Sequence, residues 1–176
     1  MESDDIVIAS HPESVIQEGA DVTQGISPTE LRNAMRHWVT GVTVITTSHE
    51  GNPVGMVSNS FTSVSLEPPL VSWCVDLRST SYDAWSKTDN FAVHVLDHEQ
   101  KNLVASFAQR GGEKFEGITW HSGVHQSPIL DDATFSLECE VWSRLTAGDH
   151  LILIGRVIAS TQPEVFIPLT NHALYS

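Results

Sequence analysis

The sequence predicts a mostly β fold, an antiparallel barrel with a few short helices packed outside it. Three observations carry that expectation. Roughly six runs rich in β-branched and aromatic residues follow one another in hairpin-like succession, with turn-forming residues between them. The first half of the chain lacks the regular strand–helix alternation that a doubly wound sheet needs. No G-x-G-x-x-G or phosphate-loop motif occurs.

Taken in order, the elements begin with Ser27-Pro28-Thr29-Glu30. Ser27 can cap a helix, Pro28 suits its first turn, and Glu30 can reach back to the cap. The helix LRNAMRHWV places Leu31, Met35 and Trp38 on one face, and Gly41 ends it. VTVITT is a β run, and His49 to Pro53 forms a turn. An extended segment, Gly55 to Leu70, follows and is ended by Glu67-Pro68-Pro69. LVSWCVDL is the next strand, and Ser79 to Thr88 a short helix capped by Ser79 or Thr80. FAVHVL is a strand, and Glu99 to Gln109 is a helix with Leu103, Val104, Phe107 and Ala108 facing inward. Gly111-Gly112 breaks that helix. Phe135 to Trp142 is a strand, Ala147-Gly148-Asp149 a turn, and His150 to Ala159 the last clear strand.

The chain has 176 residues, 40% of them hydrophobic, which suffices for one domain with a sizeable core. The net charge of -13 argues against nucleic acid or an anionic membrane as the main partner. Glu2, Asp4, Asp5, Glu13, Glu18 and Asp21 lie before Ser27, where no Lys or Arg occurs. Residues 1–26 therefore read as an acidic flexible arm and 27–176 as the folded domain. The acidic start with only a short apolar run, Ile6 to Ala9, does not read as a signal peptide, and no stretch reads as a membrane span. Cys74 and Cys139 sit in apolar strand-like runs and read as buried free thiols. A cytoplasmic location is expected.

The segment Gly55 to Leu70 departs from strand patterning. Seven of its first eleven residues are glycine or carry a polar side chain. A strand that only packs a core alternates polar with apolar. Ser58, Asn59, Ser60, Thr62, Ser63 and Ser65 offer hydrogen-bonding groups on both faces. That pattern points either to a polar partner or to a Ser/Thr-rich edge strand.

Basic residues number only nine, so their positions carry information. Arg78 precedes Ser79-Thr80-Ser81 at a predicted helix start, where hydroxyls and backbone N–H groups suit an anion or simply cap the helix. Lys114 follows the glycine break, as an anion partner or a solvated loop residue. His150, in Gly148-Asp149-His150, sits where a strand begins, and can contact a ligand or cap a turn. His94/His98 and His121/His125 have a four-residue spacing that suits a metal only on a helix, and neither pair lies in one, so no metal site is expected.

In order and spacing, these pieces resemble the flavin reductase family with the FMN-binding split-barrel fold. The resemblance runs from about Leu31 to Ala159 through RHWVTGVTVITT, GMVSNSFTSVSLEPPLV, DLRSTSYDAW, FAVHVL, KFEGI, SPILDDATFSLECEV and AGDHLILIGRV. It implies an antiparallel split barrel of Greek-key type, working as a homodimer. It implies an NAD(P)H:flavin oxidoreductase that moves hydride from NADH or NADPH to FMN, with FAD possible. It also implies a partner monooxygenase that uses the reduced flavin. Val57, Ser58, Asn59 and Ser60 would then run along the isoalloxazine. Ser63, Arg78, Ser79, Ser81 and Lys114 would approach the phosphate, Phe107 the flavin tail, and His150 the nicotinamide. A non-catalytic FMN-binding or electron-transfer protein of the same fold is the alternative. Two positions depart from the family pattern. Val57 stands where many members carry Thr, and Pro168-Leu169 is followed by TNHALYS rather than an aromatic, glycine and basic pattern.

Overall fold

The computed structural model describes residues 25–133 and 135–175. The predicted acidic arm lies almost wholly outside the described residues. The chain divides into two compact units, Met1–His37 and Trp38–Ser176.

The described part of the first unit contains α1 (Pro28–Met35). The expected capping box is present: the Glu30 N–H donates to Ser27 Oγ at 3.2 Å, and the Ser27 N–H donates to Glu30 Oε2 at 2.8 Å. No residue of α1 is buried, and Trp38, expected on its inner face, lies beyond its end.

The second unit is built on a seven-stranded antiparallel sheet. Its strands are β1 (Thr43–His49), β2 (Asn52–Ser58), β3 (Thr62–Leu66), β4 (Pro69–Asp76), β5 (Asn90–Val95), β8 (Phe135–Ala147) and β9 (His150–Thr161), in the order β2-β1-β5-β8-β9-β4-β3. A small hairpin, β6 (Trp120–Ser122) with β7 (Pro128–Leu130), forms a separate two-stranded sheet whose buried β7 packs against β1 and β5. Helices α2 (Tyr82–Lys87), α3 (Lys101–Phe107) and α4 (Asn171–Tyr175) are short, as expected of an all-β framework.

The segment expected to be one extended stretch from Gly55 is broken at Asn59. Its two halves, β2 and β3, are the opposite edges of the sheet. In a flat seven-stranded sheet those edges would lie roughly 29 Å apart. The link of residues 59–61 reaches at most about 14 Å. The sheet must therefore curl until its edges approach. The hydroxyl of Ser60 secures the approach, accepting the Cys74 N–H of β4 at 2.9 Å and lying 2.9 Å from Ser58 Oγ.

Curling gives β1 and β5 two buried faces. Ile45, Phe91 and Val93 join Trp73, Val75, Leu151 and Leu153 in one cluster, where Trp73 meets Trp85 edge-on with ring centroids 4.9 Å apart. Val44 instead joins Leu96, Leu103, Phe107, Leu130 and Leu169 in a second cluster under α3. Continuous burial explains why VTVITT and FAVHVL read as apolar runs rather than alternating strands. Leu103 and Phe107 face inward as expected, whereas Ala108 is exposed. The divergent C-terminus packs firmly: Leu169 is buried, its N–H donates to Leu96 O at 2.7 Å, and its carbonyl accepts the Val42 N–H at 2.9 Å. Cys74 and Cys139 are free thiols, as expected, but only Cys139 is fully buried. No helix among the described residues is long and apolar enough to cross a membrane.

Candidate functional site

Three chain segments meet at a cleft of about 520 Å³. Met56 and Val57 come from the edge strand β2. Asp76 and the run Arg78 to Ser81 come from the turn that joins β4 to α2. Phe107, Ala108, Gln109, Arg110 and Lys114 come from the end of α3 and the loop after it.

The β4–α2 turn is shaped by its own hydrogen bonds. The Ser79 N–H donates to Asp76 O at 2.9 Å, and the Tyr82 N–H to Ser79 O at 3.0 Å. Ser81, not Ser79 or Thr80, holds the cap position, yet its hydroxyl makes no cap bond. It accepts the Trp85 indole N–H at 3.0 Å and lies 3.2 Å from Ser79 Oγ. A buried tryptophan thus fixes the rotamer of a cleft hydroxyl.

Arg78 folds back on Asp76 through two charge-assisted bonds, Nε to Oδ1 at 3.2 Å and Nη2 to Oδ2 at 3.0 Å. Its side chain is 80% exposed, so the guanidinium keeps a face toward solvent at the cleft mouth. The Arg78 side-chain and backbone donors hold the Asp76 carboxyl down to about 2. Asp76 therefore stays ionised and offsets part of the arginine's charge.

Lys114 is reached through two successive glycines. Gly111 and Gly112 have φ of 73° and 80°, a left-handed pair that only glycine adopts readily. This reversal returns the chain beneath α3. The half-buried Lys114 ammonium donates to Gly55 O and to Phe107 O, each at 3.1 Å. Burial pulls its pKa below the usual lysine value.

Of the residues expected to bind a ligand, Val57, Arg78, Ser79, Ser81, Phe107 and Lys114 come together in this cleft. Ser58, Asn59, Ser60 and Ser63 do not line it. The Ser58 and Ser60 hydroxyls lie 2.9 Å from each other and Ser60 also accepts the Cys74 N–H, while Asn59 and Ser63 are exposed. His150 does not line the cleft either, but it pairs across β4–β9 with Asp76, which does. Its Nδ1 lies 2.7 Å from Asp149 Oδ1. Sequence reasoning missed Met56, Asp76, Ala108, Gln109 and Arg110 as lining residues, while Thr80 lies in the Ser79–Ser81 run that it did single out. The position of Arg110 directly before the glycine pair was the available signal. No cluster of metal-ligating side chains exists among the described residues, and His94 is buried in the core.

The chain resembles known proteins over most of its length. The family model described as flavin reductase like domain matches residues 35–173. A probable flavin reductase of Rhizobium meliloti (strain 1021) is 41% identical over 133 residues, which cover 75% of this chain and 43% of that protein. This chain thus spans less than half the length of that relative. The reductase subunit HsaB of a flavin-dependent monooxygenase from Rhodococcus jostii (strain RHA1) is 39% identical over 155 residues, covering 88% of this chain and 80% of HsaB. The solved structure of the Streptomyces globisporus NADH:FAD oxidoreductase SgcE6, in complex with NAD and FAD fragments, superimposes with a TM-score of 0.77 at 34% identity, covering 82% of this chain and 88% of that one. With the family model spanning most of the second unit, the chain belongs to the flavin reductase like domain family.

Proposed function

We propose that the chain is an NAD(P)H-dependent flavin reductase whose cleft takes FMN or FAD. One observation carries the reading. In a chain of net charge -13 with nine Lys and Arg, three of them (Arg78, Arg110 and Lys114) line one cleft beside the hydroxyls of Ser79, Thr80 and Ser81. That donor set suits a phosphorylated ligand. The cleft volume suits a cofactor-sized molecule, and Val57, Met56 and Phe107 supply apolar surface for a flat ring. The nicotinamide and the flavin supply the hydride chemistry between them. The chain's residues bind, orient and shield. His150 acts as an orienter for the nicotinamide, held in place by Asp149.

The curled sheet, with its edges tied by Ser60, supports a split barrel of Greek-key type. A homodimer is supported by the outward face of β8, β9 and β4. There the register aligns Leu145, Ile152 and Cys74, with Ile154 and Leu70 alongside. Leu145 is 52% exposed, and such a face favours a second copy. Light scattering should give a dimer; a monomer overturns this reading. The two free thiols suit a reducing compartment such as the cytoplasm. The likeness to HsaB supports a flavin-dependent monooxygenase as the consumer of reduced flavin.

The deciding experiment is nicotinamide oxidation, followed by absorbance, with FMN or FAD varied. Oxidation that saturates with added flavin supports a reductase with flavin as a diffusible substrate. Stoichiometric flavin binding without turnover, using either nicotinamide, replaces the proposal with an electron-transfer role.

A further inference from the structure

Lys114 was expected to serve as a cation for the flavin phosphate. Its geometry gives it a second task. Both of these hydrogen bonds go to main-chain carbonyls beside the cleft, Gly55 O on β2 and Phe107 O at the end of α3, and each leads into a different stretch of the cleft lining. Each carbonyl belongs to a place that needs a donor. β2 is an edge strand, so alternate carbonyls face away from β1. Phe107 is in the last turn of α3, where carbonyls lack helical partners and the helix end favours a cation.

The packing beneath the ammonium depends on the same two residues. A Cβ added at Gly55 would lie 2.5 Å from Phe107 Cε1 and 3.3 Å from Phe115 Cε2. The Phe107 ring therefore rests directly on the Gly55 backbone. Phe115 meets Phe107 edge-on at 5.0 Å, on the loop that delivers Lys114. Met56 and Val57 continue from Gly55 into one wall of the cleft, and Ala108 to Arg110 continue from Phe107 into the other.

We propose that Lys114 is a positioning residue: it pins the edge of β2 to the end of α3 and so sets the separation of the cleft walls that grip the whole ligand. This rests on the flavin reading for the identity of the ligand but not for the clamp itself. The clamp has a signature that a phosphate ligand lacks. Loss of a phosphate contact weakens FMN and spares riboflavin, which has no phosphate. Loss of the clamp weakens riboflavin as well, whatever FMN loses beside it.

The test compares wild type with Lys114→Met and Gly55→Ala. Flavin dissociation constants are measured by fluorescence for FMN and riboflavin, and amide hydrogen exchange is measured without ligand. Removing two charge-assisted bonds should weaken both flavins by about tenfold or more. Exchange in Lys114→Met should quicken at residues 55–57 and 104–110 and stay unchanged in β8 and β9. Gly55→Ala, which displaces Phe107 while keeping the lysine, should weaken both flavins likewise. Selective loss of FMN in Lys114→Met overturns the proposal in favour of a phosphate ligand. Unchanged exchange at both walls overturns it whatever the ligand. Wild type that binds neither flavin overturns the flavin reading instead, and the exchange data still decide the clamp.

Discussion

His94 accepts the Leu130 backbone N–H at Nε2, 3.1 Å away, while its Nδ1 lies 3.1 Å from the Val44 carbonyl. This pairing requires Nδ1 to carry the proton and Nε2 to be bare, so the buried ring is neutral. Burial pulls its pKa from the ordinary 6.5 to about 4, the Val44 carbonyl opposing the shift. The unfolded chain then binds a proton that the folded chain refuses. Stability is full above about pH 6.5 and falls as pH drops toward 4, by about 3 kcal/mol over that window. Urea unfolding between pH 7 and pH 4 should show the slope. His94→Asn should flatten it, at a lower starting stability.

Gly155 and Phe91 make a similarly close approach. A Cβ at Gly155 would lie 2.4 Å from Phe91 Cζ and 2.9 Å from Cys139 Cβ. All three residues are buried, so nothing there yields easily. Gly155→Ala should cost about 1–3 kcal/mol by overpacking. The expected readout is a lower urea midpoint with an unchanged m-value.

Ser60→Ala removes the acceptor for the Cys74 N–H at the place where the sheet edges approach. The loss should be about 1–2 kcal/mol of stability. Because Ser60 does not line the cleft, flavin affinity should change less than twofold in fluorescence titration. A large loss of affinity with stability intact would return Ser60 to the binding surface.

Ser81→Asp keeps an acceptor for the Trp85 indole N–H, so the fold should tolerate it. The new carboxylate faces the same cleft as Ser79 and repels a phosphate. FMN affinity should drop about tenfold while riboflavin affinity changes little. Equal effects on both flavins would place the phosphate elsewhere.

His150→Ala tests the orienting role. The Michaelis constant for the nicotinamide should rise and kcat fall, with flavin affinity retained. An unchanged steady-state profile removes His150 from the reaction.

Much of this was legible locally. The Ser27/Glu30 capping box, the apolar runs of β1 and β5, and the glycine pair before Lys114 are short-range signals, and each appears where the sequence places it. What escaped was non-local. The break at Asn59 follows from β2 and β3 belonging to opposite sheet edges, which no local pattern encodes. Trp120–Ser122 and Pro128–Leu130 are three-residue strands, too short to show a period. β8 runs five residues past Trp142 because it pairs with β9 as far as the Ala147↔His150 turn. Within the cleft, single residues such as Arg78 and Lys114 were nominated correctly as neighbours. The Gly55 carbonyl that Lys114 meets lies 59 residues away in the chain and so stayed hidden, whereas Asp76, two residues from Arg78, was within local reach and was overlooked.

The pairing of β4 with β9 also bears on how the chain is made. β4 ends at Asp76, while the strand that covers its inner edge ends at Thr161. A ribosome adding roughly 5–20 residues per second needs several seconds to supply it. Until then the β3–β4 hairpin emerges with an unpaired edge and with Trp73 uncovered. The vulnerable interval in the life of this protein is therefore its synthesis, and helper proteins that shield nascent strands should matter more to its yield than to its finished stability.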